Sequence, residues 1–148
     1  MIHIYTDGAS SPKQESHFGG WAAIINEDGN VTEISGGEFP TTNQRMEMLS
    51  AIKALEYFKN RQEITIYSDS AYLVNCFLQK WYVKWQRNGW INSSDKPVVN
   101  KDLWQRLLEL IKIHDVTFSK VKGHASDELN NRVDKLAVAA KEKMKNDQ

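Results

Sequence analysis

Two stretches of this chain read almost alike: Ile2-His3-Ile4-Tyr5-Thr6-Asp7-Gly8-Ala9 and Ile64-Thr65-Ile66-Tyr67-Ser68-Asp69-Ser70-Ala71. Each alternates apolar and polar residues with the period of a half-buried strand, and each runs into an aspartate. Further strands are expected near 18–26, 30–38 and 115–121, with helical spacing between the third strand and the fourth. Three strands, a helix and a strand return the chain so that the first and fourth strands can lie parallel, the helix supplying the crossover that parallel neighbours require. Adjacent strands are about 4.8 Å apart, so Asp7 and Asp69 would then meet at neighbouring carboxyl ends. Two carboxylates so close repel each other unless a cation lies between them, which points to a divalent metal.

The helical segments carry their own signals. In 42–59, Met48, Ile52 and Leu55 fall at i, i+4 and i+7, behind a Thr41-Thr42-Asn43-Gln44 start. Asn100 reads as the cap of a helix with Leu103, Trp104, Leu107, Leu108 and Ile111, and Ser126-Asp127-Glu128 opens another with Leu129, Val133 and Leu136. Shorter helical pieces are expected between 70 and 90, and the charged tail 141–148 is expected to fray. A chain of 148 residues, 41% hydrophobic and 26% charged, suits one α/β domain and excludes a disordered chain. The lone Cys76 excludes an intrachain disulfide, and no Cys/His pairing suggests zinc. Without a leader-like start or an apolar run of about 18 residues, the expectation is a cytoplasmic protein with no membrane association.

Bulk charge is silent, with 19 Lys+Arg against 19 Asp+Glu. Its distribution is not. Between 80 and 101, Lys80, Lys84, Arg87, Lys96 and Lys101 face only Asp95. A positive stretch on a negative body orients a polyanion more than it raises total affinity.

Further acidic residues could complete a site. Glu47 shares a face of the first helix with Asn43, Ala51 and Ala54, whose small side chains permit close approach to the sheet. In the last helix Asp134 shares a face with Asn130, opposite the apolar stripe, and Gly123-His124-Ala125-Ser126 offers an imidazole just before it. Carboxylate oxygens without thiolates suit magnesium or manganese.

Together, Tyr5-Thr6-Asp7-Gly8, Thr42-Asn43-Gln44-Arg45-Met46-Glu47, Tyr67-Ser68-Asp69-Ser70 and Val121-Lys122-Gly123-His124 followed by Asp134 closely resemble the ribonuclease H type 1 family. The likeness extends to Gly19-Gly20-Trp21-Ala22, to Trp81 and Trp85 with Asn88-Gly89-Trp90, and to Asn100-Lys101-Asp102-Leu103-Trp104. It implies an α/β, ribonuclease H-like fold over 1–148, a mixed five-stranded sheet flanked by helices, with 80–101 as a basic handle. It also implies hydrolysis of the RNA strand of RNA:DNA hybrids, leaving 5′-phosphate and 3′-hydroxyl ends. Asp7, Glu47, Asp69 and Asp134 would hold two Mg2+ ions, with Mn2+ a substitute, and His124 would assist proton transfer or product release. By the same resemblance Asn43 and Gln44 contact the hybrid in the minor groove, Thr42 and Asn100 hold a DNA-strand phosphate, and Trp81 and Trp85 line the DNA channel. Lys84 and Arg87 would meet phosphates without reading sequence. The enzyme would act as a monomer without an obligate protein partner.

Departures from the pattern stand beside the likeness. Loop 10–17 lacks the glycine and proline richness of many relatives, Gln86 and Asn88 replace handle cations, and Asn131 stands where a glutamate is common. The rival readings are another ribonuclease H-fold DNA nuclease and a non-catalytic hybrid-binding module. For the tryptophans, packing between helices is the competing role.

Overall fold

In a computed structural model, which describes residues 1–11, 17–121 and 128–147, the two similar stretches lie side by side. Strand β1 (Ile2–Ser10) pairs in parallel with β4 (Glu63–Ser68), Ile2 opposite Ile64, Ile4 opposite Ile66 and Thr6 opposite Ser68. On its other side β1 pairs antiparallel with β2 (Gly19–Glu27), which pairs antiparallel with β3 (Asn30–Glu38). Asp28 and Gly29 close that last hairpin with φ of 51° and 97°, the left-handed pair that suits the twist of a two-residue turn. Strand β5 (Asp115–Lys120) runs parallel to β4, and the order is β3-β2-β1-β4-β5. The mixed five-stranded sheet implied by the sequence is the one observed.

The helices are α1 (Asn43–Glu56), α2 (Ala71–Leu78), α3 (Trp81–Asn88), α4 (Lys101–Ile113) and α5 (Glu128–Asn146). Met48, Ile52 and Leu55 of α1 pack with Ile4, Ile66 and Trp104 in the larger core. Burying each such side chain stabilises the fold by about 1.5–3 kcal/mol against leaving it in water. Trp104 is fully buried, and its indole nitrogen donates to the Tyr72 hydroxyl at 3.0 Å, so the ring is taken from water without stranding its polar atom. A second core joins Ala22 and Ile24 of β2 to Val133 and Ala137 of α5.

Three expectations change. Asn100 does not cap α4 through its side chain: it adopts φ 63° and turns its amide oxygen to accept from Arg45 Nη1 at 3.4 Å. The tail does not fray at Lys141, because α5 continues to Asn146 with Met144 lying over Gly37 of β3. Helix α1 ends at Glu56, short of 59, where Tyr57 turns the chain and Phe58 packs edge-on against both Tyr57 and His114. His124, the Ser126-Asp127 start and most of loop 10–17 lie outside the described residues.

Candidate active site

The β1–β4 ladder stops at Thr6 and Ser68, and the next residue on each side is an aspartate. Glu47 reaches the same place from α1. The helix is capped by Thr42, whose side-chain oxygen accepts from the Arg45 backbone N–H at 3.2 Å, and Glu47 follows about one turn later. One oxygen each from Asp7, Glu47 and Asp69 lies within 4.8 Å of the others. Helix α5 adds Asp134, near enough to Asp7 and Asp69 to push both upward. Asn130 is buried with Val133 and Ala137, so it belongs to the packed face of α5 and not to one opposite the apolar stripe as expected, while Asp134 is exposed at its margin.

The site is rich in carboxyl groups, of which Asp7 and Glu47 are poorly solvated and Asp69 and Asp134 are exposed. Asp7 and Glu47 are only 3% and 5% exposed, and among the described residues no ion pair neutralises either. Burial pushes Asp7 up to about 8, helped by its bond with Asp134 and the charge of Asp69. Burial pushes Glu47 up to about 10, with the charges of Asp7 and Asp69 adding to it. Asp69 is raised as well, by desolvation and then by Asp134. Glu47 Oε2 is buried with no hydrogen-bond partner. An orphaned acceptor among carboxylates that resist ionisation fits a hard cation, and the donors being oxygen alone fits magnesium or manganese better than zinc.

The other candidates lie at the starts of α1 and α4 and along α3. Thr42, Asn43 and Gln44 are exposed at the start of α1, and Asn100 lies across from them at the start of α4. Lys84 and Arg87 are exposed on α3, Arg87 in its last turn. Trp81 and Trp85 are half-buried; Trp85 packs on Trp104 at 5.7 Å between ring centroids, so the packing role is real. Both also line a groove of about 430 Å³ with Lys84 and Ile91, leaving aromatic surface beside a cation. The structure thus brings Asp7, Glu47 and Asp69 together, with Asp134 outside that cluster but near enough to act on Asp7 and Asp69.

Sequence reasoning missed two features. Gly8 lets α1 touch the sheet: a Cβ there would lie 2.5 Å from Glu47 N and 2.6 Å from the carbonyl carbon of Met46. The expected small residues, Ala51 and Ala54, are buried further along the helix. Arg45 makes a two-pronged contact with Asp102, both bonds 3.0 Å, and reaches Glu38 at 3.4 Å. The pairing raises the Arg45 guanidinium and holds Asp102 below the usual carboxylate range. The available signal was an arginine inside the Asn43–Glu47 motif and an acid in the first turn of α4.

A mixed sheet with acidic, oxygen-only ligands where two adjacent parallel strands end defines an α/β protein built to hold a divalent cation in the ribonuclease H-like manner. A family model described as RNase H matches residues 1–142. The ribonuclease H of Chlorobaculum parvum is 50% identical over 139 residues, covering 94% of each chain. That of Acetivibrio thermocellus is 51% identical over 137 residues, 93% of this chain and 92% of the other. Among solved structures, LC9-RNase H1, described as a type 1 RNase H with the type 2 active-site motif, superposes with a TM-score of 0.82 at 25% identity over 97% of this chain and 72% of that one. LC11-RNase H1, solved with an RNA/DNA hybrid, gives 0.72 at 22% identity over 97% and 98%. The chain belongs to the ribonuclease H family. It is an enzyme of a divalent-metal-dependent class, and Asp7, Glu47 and Asp69 form the acidic cluster where a metal can sit.

Proposed function

We propose that this chain, as a single ribonuclease H domain with a handle over 80–101, cuts the RNA strand of RNA:DNA hybrids endonucleolytically. The observation that carries the reading is the convergence of Asp7, Glu47 and Asp69, with Asp134 beside them, in a member of the ribonuclease H family. Water adds to phosphorus, the bond to the 3′ oxygen breaks, and that oxygen takes up a proton, leaving 5′-phosphate and 3′-hydroxyl ends. Two Mg2+ ions, held by Asp7, Glu47, Asp69 and Asp134, would activate the attacking water and stabilise the departing oxygen. The low exposure of Asp7 and Glu47 keeps bulk water from these charges, so their field on a cation is little screened.

Asn43 and Gln44 read the substrate at the exposed start of α1: amides both donate to and accept from a 2′-hydroxyl, which DNA lacks. Thr42 and Asn100 hold a phosphate of the DNA strand, Trp81 and Trp85 pack against that strand in their groove, and Lys84 and Arg87 meet its phosphates. His124 moves a proton or helps product leave. Among the described residues no helix is long and apolar enough to cross a membrane, and we place the enzyme in the cytoplasm as a monomer.

The test incubates the protein with end-labelled RNA:DNA hybrid, RNA duplex, DNA duplex and single-stranded RNA, in magnesium or chelator. Cutting of hybrid RNA alone, with 3′-hydroxyl ends, is expected. DNA cutting would favour a different nuclease of this fold, and binding without cutting, in manganese as well, would leave a hybrid-binding module.

A further inference from the structure

The ladder between β1 and β4 ends at Thr6 opposite Ser68, and Asp69 lies beyond it, where the chain bends out of β4. Asp7 is still paired, opposite Ala22 of β2. The sheet therefore fixes one aspartate directly and the other only through what surrounds it. Asp69 also has Asp7 and Asp134 close by, and like charges drive it outward when all are ionised.

Three aromatic rings are stacked on the sheet just before this point. Tyr5 and Tyr67 lie directly opposite each other in the parallel register, each two residues ahead of its aspartate. Their ring centroids are 4.8 Å apart and their planes differ by 18°, a close and nearly parallel stack. Tyr67 also stacks on His3, at 5.7 Å, and its hydroxyl shares a hydrogen bond of 3.0 Å with His3 Nδ1. Its ring is thus laid across β1 and tied back at the hydroxyl end, away from Asp69. Tyr5 in turn packs against the second core, with Val133 and Ala137 of α5. Alternation puts Tyr5 and Asp7 on the same face of β1, the one that α5 covers. The stack therefore joins the three elements that bear Asp7, Asp69 and Asp134.

We infer that the Tyr5–Tyr67 stack, anchored through His3, holds the end of β4, and with it Asp69, at the spacing from Asp7 and α5 that a shared divalent cation needs. Tyr67 is the positioning residue: it acts through Asp69 and touches neither metal nor substrate. The inference rests on the metal-binding reading of the acidic cluster. Loosening the stack costs metal affinity that excess metal restores, whereas a ring that only filled space would change stability and leave metal affinity alone.

The experiment titrates manganese calorimetrically, without nucleic acid, into wild type, Tyr67→Ser, Tyr67→Phe and His3→Ala, and records Tm for each. Leu110→Ala, in the core on α4, which carries none of the four carboxylates, is the destabilised control. Tyr67→Ser is expected to weaken manganese binding roughly tenfold, the size usual when a group behind a metal ligand is removed. Tyr67→Phe keeps the stack but loses the bond to His3, and should fall between that variant and wild type. His3→Ala leaves both tyrosines in place and should weaken binding in the same direction, which keeps the test decisive even where Tyr67→Ser does not fold. Leu110→Ala should lower Tm with the manganese Kd unchanged. On an RNA:DNA hybrid, Tyr67→Ser should need more manganese for half-maximal rate, with kcat in excess metal and KM for hybrid both within about twofold of wild type. An unchanged manganese Kd in Tyr67→Ser and His3→Ala, an equal loss in Leu110→Ala, or a raised KM with normal metal affinity would each overturn the inference. A wild type that takes up no manganese would sink the metal site and the inference with it. Because affinity is read apart from turnover, a wild type that binds metal without cutting hybrid would sink only the reaction proposed above.

Discussion

A side chain on Gly8 would begin 2.5 Å from the backbone nitrogen of Glu47. That closeness is what brings a helix carboxylate level with two strand aspartates, and it makes the glycine part of the site's construction. Gly8→Ala sets a methyl group against the backbone of Met46 and Glu47 and the Met46 Cβ, with no flexible side-chain end to yield. It is expected to cost about 1–3 kcal/mol in stability and to lower kcat by roughly tenfold or more as Glu47 shifts. Thermal melts and steady-state rates on hybrid check both. Unchanged values would mean that α1 can move off β1 freely.

Asp7→Asn should abolish RNA cleavage while hybrid binding in chelator survives, because the substitution removes a ligand but no substrate contact. The same variant is expected to melt higher without metal, since it relieves a buried carboxylate next to Glu47 and Asp69. About 2 kcal/mol, or roughly 4–8 °C in Tm at pH 8, is a reasonable size for that relief. Retained turnover would remove Asp7 from the ligand set.

Metal-free stability should depend on pH with a definite sign. Asp7 holds its proton up to about 8, against 3.8 for an ordinary aspartate, and Glu47 is raised in the same direction. The folded state therefore binds more protons than the unfolded chain between those limits, so stability is greatest near pH 4 and declines as pH rises toward 8. Magnesium should flatten the decline and release protons on binding, which calorimetry in buffers of different ionisation enthalpy reads directly. A melting temperature in chelator that climbs from pH 5 to 8 would contradict the arrangement.

Lys84→Ala/Arg87→Ala tests the handle. Both side chains are exposed beside or near the Trp81–Trp85 groove, so removing them should leave Tm nearly unchanged. If each meets a phosphate, the slope of log Kd against log salt should fall by about 2 in all. An unaltered slope would return these cations to a solvated helix face.

Much of this protein could be read from local order along the chain. Strand alternation depends on neighbours one and two residues apart, and helix faces on neighbours three and four apart, so β1, β4 and the apolar stripe of α1 were legible. The likeness of 2–9 and 64–71 went further, because matching sequences one crossover apart imply matching registers, and Ile2 does lie opposite Ile64. The order of Asp7, Glu47, Asp69 and Asp134 pointed to a metal site before any coordinates did. The close approach of Asp7, Glu47 and Asp69 is the finding that geometry added.

The tertiary structure decided what depends on residues far apart in sequence. Asn100 had the right chemistry for a helix cap, but a guanidinium from α1 offered its oxygen another partner. The charged tail had the composition of a frayed end, yet Met144 meets Gly37 and the helix continues over the edge strand. Asn130 belonged by spacing to a polar face, yet it is buried beside Val133 and Ala137 while Asp134 stays exposed. Propensity and periodicity are local averages, whereas burial, ion pairing and the separation of two backbones are set by what the folded chain brings alongside. The sequence by itself determined the elements, their order and the acidic residues; only the packing of α1, α4 and α5 on the sheet decided how closely those acids meet and which side chains hold them there.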